Sequence, residues 1–426
     1  MPRDRTNRTD RTNRTSRTSR TSRTNRTDRT DRTTGRAPRR VARGAARRAP
    51  RRAPRRAPRR AGSAAGRLGR GRPVLVSHGP LPRPKWPGRV MAGTAVLVAV
   101  PLLAAGVSLR LRYAGEPAPG TRTRGRDAVW LGHAWVDGRN GEARLAELVR
   151  RIRDTGVRDL YVHAGPLEHD GGLPASRRPK ARWLVDAVRR ELPGVRVQAW
   201  LGDVLSTEGR TGMDLGERAT CERIVRSAHQ VLKAGFEGVH FDLEPVHSGD
   251  RDYLSLLDDV REVTRAHRVP LSVAAHQIDP LPSLHALAGF AAGHPKWWSP
   301  SYFGEVARRV DQIAVMSYDT AMPLESLYGG YVARQTRLAL EATPRGTDLL
   351  MGLPAFHTDD IGHHESAETV AAAVRGVRLA LSREDTRRAR FGVALYVDFA
   401  ATPGDWAAYR EGWGTYGQRS GPCRES

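Results

Sequence analysis

Three side chains able to hold or move a proton stand two apart within Gly235–Pro245: His240, Asp242 and Glu244. The residues between them, Val239, Phe241 and Leu243, are apolar. Side chains two apart on a β-strand share a face. The alternation therefore predicts a short strand with one greasy face and one face carrying an imidazole and two carboxylates. Burying such polar groups unpaired costs roughly 2–7 kcal/mol each, and more for a charge. A chain keeps this arrangement where the groups pair with one another or do chemistry. Two like carboxylates held close push one pKa upward, which makes a proton donor near neutral pH. The structural alternative is a strand end whose polar residues fray into solvent.

The elements that must position this row can be counted. Strand-like runs cover 129–136, 160–164, 195–201, 238–244, 270–276, 312–319, 349–356 and 391–398. Helical patterns fall near 142–155, 178–191, 214–234, 250–267, 301–309, 328–342, 366–382 and 403–412. Eight strands alternating with helices predict an α/β chain folded as a (β/α)8 TIM barrel over residues 128–413. Near-continuous apolar strands fit parallel pairing with both faces covered. A doubly wound open sheet would usually carry a Gly-rich phosphate turn after its first strand; here that place holds His133-Ala134-Trp135.

Barrel active sites lie at the C-terminal strand ends. Those ends carry Trp135, His163, Trp200, Asp203, Asp242, Glu244, His276, Gln277, Tyr318, Asp319, His357, Tyr396 and Asp398. Aromatic faces suit sugar rings, and carboxylates suit hydroxyls and glycosidic oxygens. Together they favour a carbohydrate site, although His163, His276 and Asp398 taken singly read as structural residues.

Composition separates the remainder of the chain. Residues 1–89 repeat Arg-Thr and Ala-Pro-Arg-Arg units and hold 29 Lys+Arg against 4 Asp+Glu. The other 42 basic and 41 acidic residues nearly balance, so the net charge of +26 belongs to the tail. Such low-complexity sequence predicts a disordered basic segment. It has no aromatic interleaving and no folded reader to support a nucleic-acid role. Val90–Leu109 is an uncharged run bracketed by Arg89 and Arg110. Its length fits one transmembrane helix, and the positive N-terminal flank keeps the tail cytoplasmic and the barrel outside. A cleaved signal peptide, which would release a secreted barrel, is the rival. Residues 110–127 then read as a linker and 414–426 as a C-terminal tail. Cys221 and Cys423 are the only cysteines and show no spacing signature. With His363-His364 read as an exposed loop pair, the sequence suggests neither a metal site nor a cofactor.

With these residues in view, the chain resembles glycoside hydrolase family 18, the chitinase-like barrels, over about residues 128–413. The family's fourth strand carries D-x-x-D-x-D-x-E. The same spacing here holds Glu237, His240, Asp242 and Glu244, so the last two positions match. The family's M-x-Y-D on strand six is similar to Met316-Ser317-Tyr318-Asp319, and its seventh strand to Gly352-Leu353-Pro354-Ala355-Phe356. Tyr396 stands where the family commonly has Trp, and the family's Ser-x-Gly-Gly on strand three is replaced by Gln198-Ala199-Trp200-Leu201.

The resemblance implies substrate-assisted, retaining hydrolysis of a β-linked glycan containing N-acetylglucosamine. Glu244 would then be the general acid and base. Asp242 would orient the acetamido N–H, Tyr318 would bind the acetamido oxygen, and Asp319 would stabilise the oxazolinium charge. Tyr396 would floor the subsite, with Trp135, Trp200, His240 and Gln277 as further substrate-binding residues. His240 replaces the family's Asp: protonated, it would lock Asp242 ionised, and neutral, it would leave the acid site intact. Two other functions stay open at this point. One is a catalytically silent barrel that binds glycan or protein. The other is an ordinary two-carboxylate glycosidase pairing Glu244 with Asp319 or Asp203.

Overall fold

The computed structural model describes residues 87–207, 209–281 and 296–414, with backbone alone for 87–98. The basic tail up to residue 86, the C-terminal segment from 415 and Cys423 lie outside the described residues. Eight parallel strands close into a barrel. They are β1 (Asp127–Leu131), β2 (Val157–Pro166), β3 (Arg196–Val204), β4 (Val239–Glu244), β5 (Leu271–Ala275), β6 (Gln312–Val315), β7 (Asp348–Pro354) and β8 (Phe391–Tyr396). Each pairs with its chain neighbours, and β1 closes on β8 with Ala128 opposite Ala394. The expected eight-stranded barrel is therefore what forms.

The helices described run in the same alternation. They are α1 (Pro87–Tyr113), α2 (Ala134–Asp137), α3 (Glu142–Ile152), α4 (Ala181–Glu191), α5 (Arg218–Lys233), α6 (Arg251–His267), α7 (Pro300–Arg309), α8 (Glu325–Ala342), α9 (Val370–Glu384) and α10 (Pro403–Trp413). Their starts are chemically marked. Asp250, Ser299 and Thr369 each accept a backbone N–H of the first turn. Thr402 and Asp405 form a reciprocal capping box.

The period-two pattern sorts side chains between two layers. Val239, Phe241 and Leu243 of β4 point outward into the shell of strands and helices, as do Val129 and Leu131 of β1. Trp130, Tyr161, Trp200, Ala314 and Leu350 fill the barrel interior. Beneath them, Gln198 and Gln312 hydrogen-bond Asp159, whose charge is paired with Arg196. The N-terminal end of the barrel is thus plugged, and the other end opens.

Two expectations need correction. The first strand ends at Leu131, because Ala134–Asp137 turns into a short helix that Gly138 closes at φ 101°. The expected strand over 312–319 ends at Val315; Met316–Asp319 leaves the sheet as a rim segment without regular structure. The stretch read as a linker is fastened to the barrel. Thr121 is fully buried, the Ala118 N–H donates to Ser382 Oγ at 2.7 Å, and Arg124 donates to the carbonyls of Arg388 and Thr386.

The apolar run Val90–Leu109 falls within α1. Among the described residues no helix is long and apolar enough to cross a membrane. The described end of α1 lies against α8. Tyr113 donates to Glu325 at 2.7 Å, and Arg383 donates to the carbonyl of Ala114 at 2.6 Å.

Candidate active site

β4 delivers the three-residue row to the barrel interior, but the structure divides it by depth. His240 is fully buried below the rim. Its Nε2 accepts the Trp130 indole N–H at 3.0 Å, which leaves the proton on Nδ1, facing Ser272 Oγ at 2.7 Å. The ring stacks on Tyr161 at 3.8 Å between centroids. Burial lowers its pKa to about 3, so the imidazole is neutral. The neutral alternative for His240 is the one adopted. It is a core residue beneath the site and makes no hydrogen bond to Asp242; its assignment as a substrate-binding residue is corrected accordingly.

Asp242 and Glu244 open into a cavity of about 790 Å³ at the C-terminal mouth, together with Pro245, His276, Gln277, Met316, Tyr318, Asp319 and Tyr396. The Trp200 indole donates to Asp242 Oδ2 at 2.9 Å, while Oδ1 is buried without a hydrogen-bond partner. Burial raises Asp242 to about 6, an effect the Trp200 hydrogen bond reduces. Glu244 is raised further, to about 8, by burial first and then by the charges of Asp242 and Asp319. Two carboxyls on one strand face therefore differ in acidity: one is anchored as an acceptor and the other is held protonated near neutral pH.

The rim segment after β6 is fastened residue by residue. Ser317 Oγ donates to the Gly352 carbonyl at 2.7 Å, the Tyr328 hydroxyl to the Ser317 carbonyl at 3.0 Å, and Gln277 Nε2 to the Tyr318 carbonyl at 2.7 Å. Tyr318 then lies over Gly352, where an added Cβ would come within 2.9 Å of its ring. Tyr396 stacks beside it, with ring centroids 5.2 Å apart and planes 19° apart. Burial first, and then the three nearby carboxylates, raise the Tyr396 phenol to about 12, so it stays protonated. The next residue of the segment, Asp319, takes φ 55°. Asp tolerates this left-handed conformation better than most residues.

The structure thus gathers Asp242, Glu244, Tyr318, Asp319 and Tyr396 around one cavity. Gln277 lines the same cavity, but its amide is engaged by the Tyr318 carbonyl and the Tyr331 hydroxyl, so it braces the rim. Trp200 does not line this cavity; it touches the site through its hydrogen bond to Asp242. Trp135 does not reach this cavity. It is buried on α2, donates to Asp398 Oδ2 at 2.7 Å, and borders an adjoining cavity of about 530 Å³ with His133, His163, Trp200 and Phe399. Asp398 also accepts the Gly132 N–H, which makes it the structural residue expected. Asp203 pairs with His169 at 2.8 Å and is absent from the residues lining the Glu244 cavity.

Sequence reasoning missed several neighbours. Lys296 and Arg210 line the Glu244 cavity from loops. Trp130 could have been found as the inward partner of Ala128 on β1. His363, expected to be exposed, is buried at 1 % and faces Asp319 and Glu368. These three are the residues that could hold a metal ion among the described ones. His363 and Glu368 lie five residues apart before α9, while Asp319 follows β6, and no spacing rule joins them.

No protein-family model matches the chain, and no curated protein does. Among solved structures the chain is similar to the spore cortex-lytic enzyme SleL of Bacillus cereus, at 13% identity over 68% of this chain and 74% of that one, with a TM-score of 0.48. It is similar to a class V chitinase from Pseudomonas fluorescens at 14% identity, covering 67% of this chain and 98% of that one, with a TM-score of 0.45. A Group IV chitinase of Ostrinia furnacalis shows 15% identity over 67% and 99% of the two chains, with a TM-score of 0.45.

Proposed function

We propose that this chain is a divergent family 18 glycoside hydrolase that cleaves a β-linked, N-acetylglucosamine-containing glycan with substrate assistance and net retention. One observation carries the reading. Asp242 keeps one oxygen on Trp200 and leaves the other buried and unpartnered, beside a Glu244 held protonated near neutral pH. An unpaired buried acceptor is costly in the free protein, and a substrate acetamido N–H would satisfy it. Glu244 would donate its proton to the leaving glycosidic oxygen while the acetamido oxygen, held by the Tyr318 hydroxyl, attacks the anomeric carbon. Asp242 and Asp319 would offset the positive charge on the oxazolinium. Glu244, now ionised, would then take a proton from the water that opens that ring. Tyr396 supplies a stacking floor with less area than an indole.

The same proposal places the barrel outside the cytoplasm. Support comes from the sequence, in the apolar run inside α1 and its heavily basic N-terminal flank. The first half of that run lies outside the described side chains.

Incubating the purified protein with a chromogenic β-N-acetylglucosaminide oligomer tests the reading, with the anomer of the first product followed by proton NMR. Release of the β-anomer is expected. Release of the α-anomer would exclude retention, and a trapped covalent glycosyl-enzyme would move the chemistry to two carboxylates.

A further inference from the structure

At the edge of the Glu244 cavity, Asp319 Oδ1 and Glu368 Oε2 lie 3.2 and 3.3 Å from Nδ1 of His363. An N–H aimed at either oxygen would make an ordinary ion-pair hydrogen bond at these lengths. Neither forms. Both ring nitrogens of His363 are buried and lack a hydrogen-bond partner. Two carboxylate oxygens at this distance from an imidazole nitrogen that has no hydrogen-bond partner have the spacing of donors to one shared cation. Zinc bonds nitrogen and oxygen at about 2.0–2.2 Å, so neighbouring donors on a tetrahedron stand roughly 3.3–3.5 Å apart.

The surrounding residues hold this triangle in place. Glu368 is buried at 2 %, and its Oε1 accepts both the backbone N–H and the hydroxyl of Thr320 at 3.0 Å, the same N–H reaching Oε2 at 3.3 Å, which fixes the carboxylate plane with Oε2 beside the histidine. Outer hydrogen bonds of this kind orient metal-ligating carboxylates. The His363 ring is set by Phe356, with centroids 4.3 Å apart. Asp319 reaches the triangle from its left-handed backbone position, and its side chain is 56% exposed toward the mouth. Two oxygens and one imidazole nitrogen on one side, with open space at the Asp319 side, make a three-donor site with one free position.

We propose that Asp319, His363 and Glu368 form a binding site for a divalent cation of the zinc class at the cavity edge, with its fourth position open to solvent. The site shares Asp319 with the hydrolytic reading, but His363 and Glu368 belong to the cation site alone, so variants of those two residues test it apart from catalysis.

Isothermal titration of the full chain, stripped with EDTA and then supplied with zinc chloride, measures it directly. One zinc per chain is expected, with affinity falling at least tenfold in both His363→Ala and Glu368→Gln. Cobalt(II) in place of zinc should give the intense visible bands of a four-coordinate ion, lost in the same variants. Circular dichroism and the melting temperature of each metal-free variant separate loss of the site from loss of the fold. Should a variant be unfolded, His363→Gln supplies the comparison. Absence of saturable zinc binding, or binding unchanged in folded His363 and Glu368 variants, overturns the proposal.

Discussion

At the scale of single residues, the account turns on a difference in acidity between two carboxyls. Glu244 is raised to about 8 by burial and by the charges of Asp242 and Asp319, and Asp242 to about 6 by burial. Hydrolysis needs Glu244 protonated and Asp242 ionised, so kcat/KM should fall below about pH 6 and above about pH 8, the two limbs belonging to the pair. Asp242→Asn removes a repelling charge from Glu244. The basic limb should then move to lower pH, with kcat reduced by about 10²-fold or more; a pH–rate profile of the variant shows whether it does. Folding carries the same sign. A carboxyl raised in the native state costs stability as pH climbs from its unfolded value through the folded one. Of this chemistry, the row on β4 was legible because alternation places Asp242 and Glu244 on one face. The role of His240 was not. Whether it is charged depends on Trp130, Tyr161 and Ser272, which belong to three other strands and are brought to it only by barrel closure.

At the scale of elements, the decisive piece is the rim segment after β6. It has no regular structure, so its geometry rests on individual bonds from Ser317, Tyr328 and Gln277 and on the bare surface of Gly352. Gly352→Ala puts a methyl 2.8 Å from the Val315 carbonyl and 2.9 Å from the Tyr318 ring. Tyr318 must shift, and small misplacements of a positioned group cost about 10²-fold in rate. The expected result is a kcat loss of that order with the melting temperature lowered by only a few degrees, which steady-state kinetics and thermal denaturation together check. The apolar period announced β6 but ran its strand on to residue 319. Polar Ser317 and Asp319 broke the run, and what they bond to lies on β7, on α8 and in the loop before α9. The first strand was overextended for a related reason: Ala134–Val136 is apolar enough for a strand, yet Gly132 and Gly138 allow a short helix there.

At the scale of the whole molecule, the chain combines a closed barrel, plugged at its N-terminal end and open at the other, with a helix that holds its own flank. The end of α1 is seated on α8 so closely that a Cβ on Gly330 would meet the Leu109 carbonyl at 2.0 Å. The barrel and the apolar run are therefore joined by packing as well as by sequence. If Val90–Leu109 anchors the protein, the full chain should sediment with membranes and resist alkaline carbonate, while a chain beginning at residue 115 should not. Recovery of the full chain in the soluble fraction would remove the anchor from the account. Strand count and closure were readable from the chain because parallel barrels write each strand as an apolar run. The fastening of residues 114–126 was not, since its partners Ser382, Thr386 and Arg388 lie more than 250 positions away.

The central claim is that Glu244 is the proton donor and Asp242 its helper. Glu244→Gln keeps the size and the polar character of the side chain and removes only the acid. Hydrolysis of a chromogenic N-acetylglucosaminide oligomer by this variant should fall by at least about 10²-fold, with binding of the same oligomer retained in a calorimetric titration. Hydrolysis at the unaltered rate would contradict the assignment.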